Sequence, residues 1–152
     1  MITTIEIIEV SKYIFDATLE AAVHVASNLL PDDRLEVVEG HGHDPENAIV
    51  VAMHNSDSVY FKVPNDEIAG IAGVYQDGQI WMLCTPAILN YPHTFAREAK
   101  RYVESRKEKL LWNIVDKRNR VHLKLLRFLG FKFLRELKYG PNNLSFIEFC
   151  RV

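Results

Sequence analysis

The side chains best suited to chemistry gather early in the chain. Glu36 and Glu39, followed by His41, His43 and Asp44, bring carboxylates and imidazoles into one short stretch. A carboxylate there, Glu36 first, can act as general base and take a proton from an amine. Most glutamates on a short polar helix do no such work. His41-x-His43 with Asp44 has the donor types of a metal site. No second cluster of His or Cys completes it, and Gly40 and Gly42 mark an exposed turn, so no metal is expected. There is no G-x-S-x-G nucleophile motif, no phosphate loop and no dinucleotide fingerprint. Arg97, Lys100 and Arg101, with Lys117, Arg118 and Arg120 further on, could face phosphates. Glu98, Glu104 and Glu108 interrupt the first group, as on any solvated helix face. Arg97 and Arg118 remain candidates. Phe128, Phe131 and Phe133 read as core and not as a base-stacking platform, so nucleic acid is not the expected partner.

These residues must be positioned by a mixture of strands and helices. Ile5, Ile7, Ile8 and Val10 suggest a first strand, after which Asp16 can cap a helix with Leu19, Ala22, Val23, Ala26 and Leu30 at helical spacing. Pro31-Asp32-Asp33 opens a second short helix that ends at Gly40. A third runs from Pro45 to about His54. The period then changes: Ser58–Val63, Ile68–Tyr75 and Gln79–Thr85 read as strands of an antiparallel meander, the last two joined at Asp77-Gly78. A long helix is expected over 93–109, with Phe95, Ala99, Tyr102, Val103 and Arg106 facing inward. A strand follows at 110–115. Asn119 caps a last helix whose stripe is Val121, Leu125, Phe128 and Leu129, and Gly130 stops it. A closing hairpin pairs 131–137 with 144–149. A strand-helix-strand step after a meander requires a crossover, so one mixed sheet is expected, with Leu83 and Ile114 on strands of the same sheet.

Length and composition are consistent with this order. The 152 residues suit one domain spanning 1–152, and 48% hydrophobic with 25% charged residues is ordinary for a globular chain. No apolar run reaches the roughly 20 residues needed to span a bilayer, so no membrane is expected. The first ten residues carry Glu6 and Glu9 but no basic residue, unlike a secretory leader. Cys84 and Cys150 both sit in apolar segments, as buried thiols do, which points to a reduced setting inside a cell. Charge is unevenly distributed: residues 1–92 hold three basic against fourteen acidic residues, net −11, and residues 93–152 hold fifteen against six, net +9. Such a split gives one anion-attracting face, or two halves that pack against each other.

The run Trp112-Asn113-Ile114-Val115-Asp116, then Asn119, Leu125 and Gly130-Phe131, resembles the second half of GNAT acetyltransferases, and the element order agrees along the whole chain. The resemblance implies an α/β (α+β) fold with a mixed, mainly antiparallel sheet, helices on both faces, and two strands that splay into a central V. Leu111-Trp112-Asn113, with Asn119, His122, Leu125 and Gly130, also resembles the small GNAT-related internal virion proteins of short-tailed bacteriophages. That implies virion or host proteins as partners, in the host cytoplasm or the virion. The family's cofactor would be acetyl-CoA or CoA. Its pantetheine arm would bond the backbone at Cys84 and Thr85, its pyrophosphate would meet the helix start at His93, Thr94 and Phe95 with Arg97 beyond, and Asn119 would lie near the arm. Two family marks are missing. The connection Pro86–Thr94 has no glycine and contains two prolines, which donate no N–H. The position of the family's proton-donating Tyr falls on Leu126, leaving Tyr91, Tyr102 or Cys84 as substitutes. Three readings follow in order: a non-catalytic or weakly catalytic phage protein of virion assembly, an acetyl-CoA-dependent N-acyltransferase acting on an amine, and, last, a nucleic-acid or host-protein binder using the basic half.

Overall fold

The computed structural model describes residues 6–8 and 11–152. Residues 6–8 are helical, so the expected first strand is not formed there, while Ile5 and Val10 lie outside the described residues. The first strand is β1 (Ile14–Asp16), which takes in the residue expected to cap a helix. The cap of α1 (Leu19–Ser27) is instead Thr18, whose hydroxyl accepts from the amide of Ala21. Next come α2 (Pro31–Leu35), which continues as a wider π-turn over Glu36–Gly40, and α3 (Pro45–Asn55), capped by Asp44. Then follow β2 (Asp57–Lys62), β3 (Ile68–Val74) and β4 (Ile80–Cys84), the expected meander. A 3-10 turn over Pro86–Leu89 leads into α4 (Pro92–Ser105). The chain closes with β5 (Leu111–Asp116), α5 (Arg120–Phe128), β6 (Lys132–Tyr139) and β7 (Leu144–Arg151).

The strands form two antiparallel sheets, β1-β2-β3-β4 and β5-β7-β6, in place of one continuous sheet. Leu83 and Ile114 therefore lie in separate sheets, contrary to the sequence expectation. Among the described residues a single parallel bridge, Gln79 to Trp112, joins them. It forms beside the β3–β4 turn, where Gly78 has φ +90° and any Cβ would strike the carbonyl of Leu110. The physical reason for the separation is divergence: past the bridge, β4 and β5 move too far apart to share a ladder.

Strand alternation divides the core between the two faces. On one face Tyr60, Ile71, Trp81 and Leu83 meet α1 and α3 through Ala22, Val25, Ala26, Ile49 and Met53. On the other, Val59, Phe61, Ala72 and Cys84 pack on α4 through Phe95, Ala99, Tyr102 and Val103. Phe61 sits edge-on to both Phe95 and Tyr102. Helix α4 ends earlier than expected: Arg106 leaves the helix and pairs with Asp57 at 2.6 Å and Glu108 at 2.8 Å. Helix α5 buries His122, Leu126 and Leu129, whereas Phe128, expected on the inner stripe, is half-exposed beneath Lys100. No helix among the described residues is long and apolar enough to cross a membrane.

Candidate functional site

Beyond the Gln79–Trp112 bridge the two strands open into a V. The amide of Tyr75 donates to Gln79 and that of Thr85 donates to Ala69, so odd-numbered residues of β4 turn their backbone groups toward β3. The backbone groups of Ile80, Met82 and Cys84 therefore face the opening. Across it, Trp112, Ile114 and Asp116 present theirs: Trp112 N–H reaches Gly78 O, Ile114 N–H reaches its neighbour Asn113 Oδ1, and Asp116 N–H reaches Glu36 Oε1. Asn113 ties the narrow end, donating to Ile80 O at 2.7 Å and accepting from Gln79 at 3.3 Å.

A cleft of about 610 Å³ passes through the V. Its walls are largely apolar: Ile80, Met82 and Leu83 on β4, Ile114 and Val115 on β5, and Leu125, Leu126 and Leu129 on α5. Polar groups come from Glu36, His41, His43, Asp44, Asn47, Tyr75, Asn113, His122 and Tyr139. Such a lining, apolar with a few convergent polar groups, is typical of a small-molecule site.

The wide end of the V is filled by one side of α2. Leu30 N–H donates to Cys84 O at 2.9 Å, and Asp33 Oδ2 accepts from Cys84 N–H at 2.8 Å. One turn on, Glu36 Oε1 accepts from Asp116 N–H at 2.8 Å and from Asn119 Nδ2 at 3.4 Å. Asn119 also donates to Asp33 Oδ1 at 2.8 Å and caps α5 by accepting from His122 N–H. His122 Nε2 stands 3.2 Å from Asp33 Oδ1. Arg118 binds Asp116 and Glu39 at the rim.

These surroundings move the titrations. Burial pushes the Glu36 carboxyl up to about 7, against the opposing effect of His122 and the amide of Asp116. Burial alone would lower His122, but Asp33, and then Cys84, lift it well above the usual imidazole value. Burial raises the Cys84 thiol. At Asp116 burial is outweighed by Arg118, which keeps the carboxyl below its ordinary value. Glu36 Oε2 has no protein partner among the described residues, so one oxygen of a carboxyl poised near neutrality is left for a ligand.

The structure distributes the sequence candidates unevenly. Glu36 lines the cleft. Tyr91 precedes α4 and packs on the core, outside the cleft lining. Cys84 and Thr85 are at the end of β4 but are 0% and 2% exposed, with Thr85 N–H bonded to Ala69 O. His93 and Thr94 occupy the first turn of α4, whose start has no side-chain cap. Phe95 points its ring into the core and donates its N–H to Tyr91 O. Arg97 is exposed, 3.7 Å from Glu98. Asn119, 1% exposed, belongs to the Asp33–Glu36 network. His41 and His43 stack on each other, and Asp44 caps α3. The trio that does assemble, Asp33 with Cys84 and His122, was not among the sequence candidates as a set. A polar His one turn past a capping Asn on an otherwise apolar face was the available signal.

The fold is that of the GNAT acetyltransferases. An acetyltransferase of the GNAT family from Bacillus anthracis superimposes with a TM-score of 0.64 at 10% identity, covering 91% of this chain and 93% of that one. A GNAT superfamily phosphinothricin acetyltransferase from Sinorhizobium meliloti, in complex with AcCoA, gives 0.61 at 13% identity over 93% and 88%. A spermidine N-acetyltransferase chimera from Vibrio cholerae and hSSAT gives 0.64 at 9% identity over 93% and 96%. No family model and no curated protein matches the sequence.

The fold's cofactor can be tested against the residues present. Both backbone groups of Cys84 are taken by Asp33 and Leu30, so on β4 an extended thioester arm is left with the backbone groups of Met82. A 3-10 turn led by Pro86 and a helix led by Pro92 replace a glycine cradle. The apolar cleft and the Met82 edge could take an acyl arm, whereas the turns led by Pro86 and Pro92 offer a diphosphate no glycine cradle.

Proposed function

We propose that the cleft is an acyl-acceptor site and that the chain transfers an acyl group from a thioester to an amine. The observation that carries this reading is Glu36: a carboxyl titrating at about 7, in the opening between the splayed strands, with Oε2 free. A thioester, when bound, supplies the activated acyl carbon. The chain's own part is to place the amine and take its proton. Near neutral pH Glu36 is partly ionised, which suits a general base. Oε1 is anchored by Asp116 N–H and Asn119, so the free oxygen has a fixed direction. The apolar walls exclude water from the approach, and the edge of Met82 offers one donor and one acceptor to an amide. Structural relatives named as acetyltransferases support this reading through fold alone. The test is an acetyl-transfer assay over a panel of amines, with the unmodified protein and Glu36→Gln. Turnover that the substitution abolishes supports the proposal. Turnover unchanged in Glu36→Gln removes Glu36 as the base.

A second reading is favoured by the filled end of the V: a protein that retains the scaffold for binding alone. The internal bonding of Cys84 supports it. The virion or host-protein partners suggested by the run around Trp112 to Gly130 belong to this reading.

A further inference from the structure

Asp33, Cys84 and His122 meet at the filled end of the V from three different elements: α2, the end of β4 and the first turn of α5. One donor atom from each lies within 4.8 Å of the other two. All three side chains are buried, Asp33 at 0% exposure, Cys84 at 0% and His122 at 8%. A wholly buried carboxylate needs a cation or several donors. Asp33 has no Lys or Arg partner among the described residues; its neighbours are Asn119, the Cys84 amide and His122.

The geometry at His122 is informative. Its Nε2 is 3.2 Å from Asp33 Oδ1, close enough for a hydrogen bond, yet it is the one buried side-chain nitrogen or oxygen among the described residues without a hydrogen-bond partner. The two atoms are near each other, but an N–H would not point along the line between them. Two ligands of one tetrahedral ion show this relation: each aims at a shared point, not at the other. With metal–nitrogen and metal–oxygen bonds of about 2.0–2.2 Å, tetrahedral ligands lie about 3.4 Å apart. The observed separation is close to that. Thiolate, imidazole and carboxylate together are the donor set of zinc, and thiolate disfavours magnesium and calcium.

We infer that Asp33 Oδ1, Cys84 Sγ and His122 Nε2 form a binding site for a zinc-like divalent cation. The ion would fasten α2, β4 and α5 together at the wide end of the V. Binding displaces the thiol proton of Cys84 and leaves His122 neutral. This inference does not rest on the acyl-transfer reading, since its ligands exclude Glu36, although Asn119 links Asp33 to Glu36 and a bound cation would act on that carboxyl.

The test uses the whole purified chain titrated with cobalt(II) alone, followed by zinc. The expected result is a near-ultraviolet thiolate-to-cobalt charge-transfer band that saturates at one equivalent and is erased by zinc. Zinc is also expected to raise Tm by several degrees, as a ligand of the folded state must. Cys150→Ser should keep the band, and Cys84→Ser, nearly the same size, should lose it. No band in the unmodified protein overturns the proposal without any variant having to fold. A band that survives in Cys84→Ser but disappears in Cys150→Ser also overturns it, by assigning the metal to the other thiol.

Discussion

The carboxylate of Asp33 holds the amide of Cys84 at 2.8 Å, so a helix from the acidic half of the chain closes the wide end of the V. The same carboxylate faces His122 and Asn119. Replacing Asp33 by Ala leaves the Cys84 amide without its acceptor, Asn119 with only its longer bond to Glu36, and the buried His122 imidazole without a facing carboxylate. Breaking a buried pair in this way costs about 3–5 kcal/mol. Urea unfolding should show that loss, and a midpoint unchanged from the unmodified protein would mean that water or Glu36 replaces Asp33.

Glu36 should impose a pH dependence of definite sign. Its folded pKa of about 7 is above the ordinary carboxyl value of 4.5. The groups facing it are His122, Asp33, the Asp116 amide and Asn119, with burial the largest influence. Because the folded state binds this proton more tightly, its contribution to stability is full below about pH 4.5 and is lost as pH rises through 7. Activity runs the other way: a general base works once ionised, so the rate should climb through pH 7. Glu36→Gln should flatten both profiles and lower the rate by about 10²–10⁴-fold. Rate profiles and thermal unfolding over pH 5–9 check the two halves separately.

Coenzyme A should bind weakly, with its diphosphate near His93 and Thr94 at the start of α4. That start offers free N–H groups and partial positive charge, but no glycine lets the backbone wrap the phosphates. Millimolar affinity is expected instead of micromolar, a difference of about 4 kcal/mol. Calorimetric titration with acetyl-CoA at low salt measures it, and Arg97→Ala should weaken it further. Micromolar binding would show that the start of α4 holds the diphosphate without glycines.

Helix α5 offers a contrast between neighbours. Leu129 is 3% exposed and Phe128 is 50% exposed. Leu129→Ala should cost about 2–5 kcal/mol through lost packing and the cavity left behind. Phe128→Ala, which removes a ring lying under Lys100, should stay within about 1 kcal/mol. Equal losses in chemical denaturation would put the buried face of α5 elsewhere.

Much of the architecture could be read from local pattern. Alternation marked β2 to β4, Asp77-Gly78 marked their last turn, and Gly130 marked the end of α5, whose φ is +88°. What local pattern could not show was which residues meet. Phe128 reads as inward-facing because spacing alone does not distinguish one edge of an apolar stripe from its centre. Asp16 looked like a cap because strand β1 is only three residues long and carries no period of its own. At the site, Glu36 was legible from its type and polar setting. Asp33 reads as a first-turn acid of a short helix, a role that most such residues fill. Its burial against Cys84 and His122 depends on contacts across 51 residues and more, which no window along the chain contains.

The single bridge between Gln79 and Trp112 has a mechanical consequence. Within each sheet, separating two strands means breaking a ladder in which each bond supports the next. Between the sheets, the far end of the V is held by Asp33 and Glu36 gripping one strand each, with Leu30 beside them. Each such bond contributes about 1 kcal/mol net, more where a carboxylate takes part. The two halves thus form a clasp hinged at Gly78 and latched by three residues, Leu30, Asp33 and Glu36, spaced along one side of α2 and the residues flanking it. Amide exchange at Cys84 and Asp116 should therefore report the latch, and exchange at Ile71 and Ile147 the sheets on either side of it.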